Sequence, residues 1–476
     1  MENMNYAKNA ERFGGVAAER FDTAPAGRLD GAVAGKFDNV NAEAGVHAGL
    51  PNWAQRELHS EKSEIAAQRH GFDVPFFVIA LLILLFGVIM VFSASFARSY
   101  YMSGDPMWFF SRQAIFAVIG VASMLIVSRI STRVMSRFSI HLLLVSILLL
   151  ILVLIIGLTI NGARRWIGFG GAGDTSLTFQ PSEVAKLAVI MAFAQMMCKF
   201  GKKMKSFKFG VFPFAVITMF IIALLYRQPH ISAMIIIVTI ASVMMLAGGT
   251  QLRWFLLLGI FLLTLVSAII LPRMHAPVRD GEPPLTVSEA VIDASRGMGY
   301  AGERISAWLD PDADPLNAGF QTRQSLLAIG SGGLFGQGLG QSRQKFLYLP
   351  EEHNDFIFAV ISEELGFIGA VLILTLFTLL IIRGYWLSFK ASDKYGSLVV
   401  FGITSLLAIQ VFFNVAVVTN IIPATGISLP FFSYGGTALL IQLVQIGIVL
   451  SVSREIGMER PKKRHEFEQE SGQENG

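Results

Sequence analysis

Several stretches of an otherwise apolar chain gather ionisable side chains at spacings that could bind or transfer charge. The first runs Asn161-Gly162-Ala163-Arg164-Arg165-Trp166 and resumes at Gln180-Pro181-Ser182-Glu183-Val184-Ala185-Lys186. Guanidinium forks suit phosphate oxygens and a lysine supplies a compact charge, so Arg164, Arg165 and Lys186 fit an anionic ligand. Glu183 and Lys186 lie three apart on one helix face and can pair, with Ser182 placed to cap that helix. A structural ion pair, with an arginine reaching toward lipid headgroups, accounts for the same spacing. The second stretch, Trp308 to Gln321, sets Asp310, Asp312 and Asp314 at alternate positions. A calcium loop would begin this way, but Pro315 stands where the turn glycine belongs and Gln321 where the bidentate glutamate belongs. Asp-Pro steps also start turns, so a structural cap and a general base near a membrane face are both open. The third runs from Gln344-Lys345 to His353-Asn354-Asp355, and Ser362-Glu363-Glu364 follows inside an apolar helix. Two glutamates there must face a polar interior or a partner helix. A last segment, from Asn414 through Pro423 to Ser433-Tyr434-Gly435-Gly436, could break a helix and line a cavity.

Other signals favour bland readings. Glycines at 330, 332, 333, 336, 338 and 340 follow no strand and precede no Gly-Lys-Ser/Thr, so they indicate close backbone packing rather than a nucleotide loop. His230 has no second histidine at ligand spacing and reads as structural. The single Cys198 excludes a disulfide framework and reads as an apolar filler. The basic tails read as topological signals, not as sites for nucleic acid.

The elements that must position these residues are apolar helices. With 53% hydrophobic and 15% charged residues, the 476-residue chain is not a soluble domain. Apolar windows long enough to cross about 30 Å of hydrocarbon fall near 73–95, 109–128, 138–160, 183–199, 209–227, 230–247, 252–271, 355–383, 396–420 and 433–453. The expectation is an all-α polytopic membrane protein of ten spans with both termini cytoplasmic. That orientation places Arg129, Arg133, Arg137, then Lys199, Lys202, Lys203, Lys205 and Lys208, then Arg253, then Arg383, Lys390 and Lys394 inside. Residues 1–72 lack an apolar signal-peptide core and read as a disordered cytoplasmic tail, and 456–476 as a second cytoplasmic tail. The loop 272–354 between the seventh and eighth spans is too long for a connector and is expected to carry function, with a polar excursion at 275–300 and short helices over 301–350.

Taken together, Asn161 to Lys186, Asp314 to Gln321, Leu347 to Gly366 and Pro423 to Gly436 resemble, in order, the signature segments of the shape, elongation, division and sporulation (SEDS) family of cell-wall glycan polymerases. The resemblance covers about residues 73–455. The run Leu339 to Pro350 is similar to the FtsW and SpoVE branch rather than to RodA. Three positions depart from the family's pattern: Phe320 replaces a tyrosine, His230 stands where many members have aspartate, and Asn420 replaces a glycine.

The resemblance implies a peptidoglycan glycosyltransferase that polymerises lipid II into β-1,4 glycan strands for the division septum, multi-pass in the bacterial plasma membrane. It implies Asp314 as the essential aspartate, here assigned as the base that takes the proton of the acceptor hydroxyl. Arg165, Lys186, Arg323 and Lys345 are assigned to the pyrophosphate, with a divalent cation, Mg or Mn, as a further option and no metal ligands named. Arg164, Glu183, Gln321, Gln324, His353, Glu363 and Ser433 complete the expected substrate contacts. Implied partners are a class B penicillin-binding protein transpeptidase and other divisome membrane proteins. Two readings of another class compete: a lipid II flippase, which needs a similar charged cavity, and a scaffold that recruits a transpeptidase.

Overall fold

The computed structural model describes residues 71–160, 163–168, 178–274, 286–296, 300–310 and 318–473. The expected base Asp314, Asp312, Asn161 and the tail up to residue 70 lie outside the described residues. The helices are α1 (Val74–Ser103), α2 (Trp108–Val127), α3 (Thr132–Ile156), α4 (Pro181–Phe200), α5 (Phe212–Tyr226), α6 (Ile231–Ala247), α7 (Leu252–Met274), α8 (Val287–Ser295), α9 (Tyr300–Leu309), α10 (Ala318–Gly332), α11 (Ile357–Lys390), α12 (Lys394–Val418) and α13 (Gly436–Gln473). Among the described residues, nine helices are long and apolar enough to cross a membrane, and α6, with 17 residues, is a shorter apolar helix in the place of the expected sixth span.

The ends of these helices follow from local chemistry. Asp73 caps α1 by accepting from Phe76 N at 2.9 Å, and Gly104, at φ 72°, closes the helix eight residues beyond the apolar window. At the same rim Arg383 of α11 donates to both oxygens of Asp73 at 3.0 and 2.6 Å, and Ser453 of α13 accepts from Asp73 N. Glu455 of α13 accepts from Thr132 N and Oγ1 at 2.8 and 2.7 Å, capping α3. The terminal helices are thus tied to α3 and α11 at what is here termed the tail-bearing rim. The last helix also runs on to Gln473, where the sequence reads as an unstructured tail.

The interior is built by α4, buried at every residue from Pro181 to Ala194, and by α12. No residue of α7 is buried. At the rim opposite the tails, the chain between α3 and α4 forms a small antiparallel sheet, an addition to the all-helical expectation: β1 (Leu158–Ile160), β2 (Ala163–Gly168) and β3 (Thr178–Phe179), in that order. Thr159 pairs with Arg164 and Ile167 with Phe179.

The expected helix break in the segment ending at Gly436 is an extended connection, since α12 stops at Val418 and α13 starts at Gly436. The break inside a span lies instead at Gly366, whose φ of 68° interrupts α11. A Cβ there would sit 2.2 Å from Gly336 N, so only glycine fits. The glycine-rich chain after α10 takes over the freed backbone groups: Phe367 N donates to Gly333 O, Gln337 N to Glu363 O and Gly338 N to Glu364 O, at 2.9–3.0 Å.

Candidate functional site at the sheet-bearing rim

Strand alternation separates the two adjacent arginines. Arg164 is exposed and turns toward α3, donating to Thr159 Oγ1 and Leu154 O, each at 3.3 Å. Arg165 faces the bundle and donates to the carbonyls of Gln228 and Pro229, at the start of α6. Beside it, α4 begins at Pro181 with Gln180 as its capping residue, so Ser182, expected from sequence at the cap, falls instead inside the first turn. Its hydroxyl is buried without a hydrogen-bond partner. Glu183 and Lys186 form the foreseen pair at 2.8 Å, both buried.

His230 precedes α6 and is also buried, with Nε2 3.4 Å from Gln180 Nε2 and no partner for Nδ1. Burial, reinforced by Arg165 and Lys186, holds its pKa well below the usual imidazole value, so the ring is neutral at pH 7. Two residues on, Ser232 Oγ donates to Thr425 O. The Thr425 hydroxyl is buried and unpartnered.

Asp355 sits on the other side of Gly426, its Oδ2 3.0 Å from where a Cβ of that residue would lie. Its backbone is fixed by Asn414, whose Nδ2 bridges Asp355 O and Ile427 O at 2.8 Å each. Its carboxylate accepts no hydrogen bond among the described residues. Desolvation, together with the charge of Glu351, pushes its pKa up to about 6 against the pull of Arg304, His353 and Arg165. Arg304, from α9, lies over the same segment and donates to Ala424 O at 2.8 Å. Buried polar atoms in folded proteins are nearly always hydrogen-bonded. Among the described residues the rim leaves buried atoms of Ser182, His230 and Thr425 without such partners beside Arg165, Lys186 and Arg304, an arrangement that can take a polar, anionic ligand.

The remaining expected site residues within the described chain make other contacts, with His353 and Ser433 bordering the rim at the turn that carries Asp355. Lys345 and Glu363 belong to a buried clamp between the glycine-rich segment and the broken helix α11. Glu363 accepts from Ser342 Oγ, Arg343 N and Gln344 N, while Glu364 accepts from Ser93 Oγ, Ser342 N and, at 2.8 Å, from Lys345 Nζ. His353 and Ser433 join the turn before α11 to the turn before α13: Ser433 Oγ donates to Asn354 O at 2.8 Å and Tyr434 N to His353 O at 2.9 Å. The His353 ring packs 4.8 Å from Phe109, and its neighbour Glu352 is held by Nε and Nη2 of Arg98, at 2.7 and 2.9 Å. Gln321 and Gln324 are half-buried and Arg323 exposed on α10, which is anchored by Ser325 Oγ to Val418 O at 2.8 Å. Asp355, Arg304 and Ser232 are the additions that sequence reasoning did not place in the site. For Asp355 a signal existed, an acid at the threshold of a long apolar helix.

Comparison with known proteins agrees with this architecture. The family model described as cell cycle protein, FtsW, RodA and SpoVE, matches residues 74–457. Stage V sporulation protein E of Bacillus subtilis (strain 168) is 41% identical over 384 residues, 80% of this chain and 97% of that protein. The probable peptidoglycan glycosyltransferase FtsW of Geobacter sp. (strain M18) is 38% identical over 385 residues, again 80% of this chain and 97% of its own length. Among solved structures, a chain of a peptidoglycan synthase complex that coordinates polymerization and crosslinking superposes with a TM-score of 0.62 at 27% identity, over 81% of this chain and 98% of that one. The rod shape determining protein RodA of Thermus thermophilus gives 0.55 at 27% identity, over 81% and 97%. With its signature segments in order and its bundle shared with these structures, the chain belongs to the FtsW, RodA and SpoVE family of polytopic membrane proteins.

Proposed function

We propose that this protein is a peptidoglycan glycosyltransferase that polymerises lipid II into β-1,4 glycan strands. The observation that carries the proposal is the cationic rim around Arg165, Lys186 and Arg304, with unpartnered polar groups between them, in a chain whose relatives include probable peptidoglycan glycosyltransferases. Orienting the tails toward the cytoplasm, as the loop charges favour, sets this rim on the outer face, beside the lipid phase that would hold the substrate's polyprenyl anchor.

The reaction joins the acceptor's 4-hydroxyl oxygen to the donor's anomeric carbon and breaks the bond from that carbon to the lipid pyrophosphate. The hydroxyl proton passes to Asp314, and the electron pair leaves with the pyrophosphate. Arg165 and Lys186 stabilise the developing charge; Arg304 joins them by position. Lys345 is withdrawn from this assignment, because it is enclosed in the clamp formed by Ser93, Ser342, Glu363 and Glu364 and does not line the rim. Single displacement inverts the anomeric centre. A divalent cation, Mg or Mn, stays a proposal about the pyrophosphate oxygens: among the described residues no group of three or more His, Cys, Asp or Glu side chains could hold one, and no step is routed through it.

A class B penicillin-binding protein is the proposed partner and the division septum the proposed location, supported by the synthase-complex and FtsW likenesses. The test supplies purified protein and such a partner with lipid II in detergent and scores glycan chains on gels. Wild type is expected to polymerise, and Asp314→Ala to lose the typical 10²–10⁴-fold of a general base, about that range, at an unchanged melting temperature. Movement of lipid II across vesicles without chain formation would turn the reading to a flippase.

A further inference from the structure

The tail-bearing rim concentrates positive charge that the reaction does not use. Helix α4 starts at the sheet-bearing rim and ends at Phe200, so the turn that follows it lies at the opposite rim. That turn, a tight helix over Gly201–Lys205 and a single helical turn over Phe207–Gly210, presents Lys202, Lys203, Lys205 and Lys208, all exposed. Its backbone is firmly seated. Met204 is fully buried, and Gly210 passes so close to the Met204 carbonyl that a Cβ there would collide with it. The chain entering α7 is fastened to the same turn: Thr250 Oγ1 donates to Gly210 O at 3.1 Å, and the rings of Phe207 and Trp254 lie 5.0 Å apart. Aromatic faces then hold three of the cations. Lys203 and Lys208 both sit over Phe209, at 5.6 and 5.9 Å, and Arg253 sits over Trp254 at 4.8 Å. No carboxylate offsets this charge. The sequence has no Asp or Glu between Glu183 and Asp280, and among the described residues none of these cations joins an ion pair. Trp254 Nε1 and Gln251 Oε1, at the entrance to α7, are buried without a hydrogen-bond partner among the described residues. Loop charge alone suffices to orient a span; it does not call for cations stacked on the rings of two converging segments.

We propose that the junction between the turn after α4 and the start of α7 is a binding site for the phosphate headgroup of an anionic phospholipid. Lys203 and Lys208 supply compact charges to the phosphate oxygens, and Arg253 supplies a planar fork. Side chains already resting on rings lose less freedom when they close on a ligand. Phe207 and Trp254 are residues of the kind that collect at the level of lipid headgroups, which sets the site at the membrane surface. The occupant has a structural task. No residue of α7 is buried, so this span lies among acyl chains. A phosphate shared by Lys203 and Lys208 on one side and Arg253 on the other ties that span to the rest of the bundle. The site uses residues to which the glycosyltransferase reading assigns nothing, and the two inferences stand or fall separately.

The experiment titrates full-length protein, stripped of lipid in detergent, with phosphatidylglycerol, and reads bound lipid by native mass spectrometry and stability by melting temperature. Cardiolipin, phosphatidylcholine, inorganic phosphate and a poly-glutamate peptide are the other arms. Wild type is expected to retain either anionic lipid over phosphatidylcholine and to melt higher with it. The combined change Lys203→Gln, Lys208→Gln and Arg253→Gln leaves Lys199, Lys202 and Lys205 to orient the loop. It should weaken phosphatidylglycerol binding by about 10²-fold, from about fivefold for each cation at a lipid surface. The control removes the same charge from Arg129, Arg133 and Arg137, which are exposed at the same rim and stand on no aromatic ring among the described residues. Its affinity should stay close to that of wild type. Equal losses from the two triple variants would show a diffuse attraction and overturn the site. Where the first triple variant does not fold, single changes carry the test: Arg253→Gln should lose about fivefold and Arg253→Lys should recover most of it, and equal binding by wild type and Arg253→Gln would overturn the site. Wild type without preference for anionic lipid would overturn it too, as would inorganic phosphate binding as tightly as phosphatidylglycerol. Binding of poly-glutamate and of neither anionic lipid would overturn it in favour of an acidic protein segment.

Discussion

The clamp around Glu363 and Glu364 and the rim around Asp355 both bury charged groups, yet they are built in opposite ways. In the clamp all four carboxylate oxygens meet a donor, from Ser93, Ser342, Arg343, Gln344 or Lys345, and the ammonium of Lys345 is closed off with them. At the rim, among the described residues, Ser182, His230 and Thr425 keep unpartnered atoms, and the Asp355 carboxylate accepts no hydrogen bond. A closed network fixes a shape, here the seating of the glycine-rich segment on a broken helix. An open one is completed by something that arrives.

That contrast can be broken by substitution. The largest effect is expected at Lys345→Met, which strands a buried glutamate and should lower unfolding stability by about 3–5 kcal/mol, measured by denaturant unfolding in micelles. The paired change Lys345→Met with Glu364→Leu should recover most of that loss; if it does not, the clamp is more than a structural unit. Next comes Arg165→Ala, expected to slow polymerisation by about 10²–10³-fold in the lipid II assay, because the charge faces the site. A smaller effect, of opposite sign, belongs to Asp355→Asn. The folded protein holds the Asp355 proton up to about pH 6, above its usual 3.8, so ionising it destabilises the fold progressively as pH rises through that window and fully above it. The variant should therefore gain about 1–3 kcal/mol at pH 8 and nothing below pH 4, read from melting curves across pH. Smallest is Arg164→Ala, on the exposed side of β2, expected to stay within about 0.5 kcal/mol of wild type in stability and close to it in rate. Equal losses from Arg164→Ala and Arg165→Ala would show that strand alternation does not sort the two arginines.

Much of the fold was readable because the bilayer demands it: spans of about twenty apolar residues separated by charged loops leave few alternatives. The Glu183–Lys186 pair was readable for the same reason, since spacing three on a helix puts both on one face. What was not readable depended on elements with weak signals. The strands β1 to β3 are two to six residues long, so nothing warned that Arg164 and Arg165 would point apart. Gly366 lies in an apolar run that reads as unbroken helix, and only the approach of Gly336 from another segment explains the break. Lys345 looked like a ligand for phosphate because a lone lysine in a loop gives no hint of a glutamate waiting inside a helix nineteen residues later. Asp355 closes the third ionisable stretch of the sequence, but nothing in that stretch sets it apart from Glu351, Glu352 and His353; Phe356, not Asp355, is the capping residue of α11.

The knots formed by Asp73 with Arg383 and Ser453, and by Glu455 with Thr132, lash the beginning and end of the chain's membrane portion into one collar. Loss of the Asp73 and Glu455 carboxylates would therefore remove the side-chain ties among four helices at once, α1, α3, α11 and α13.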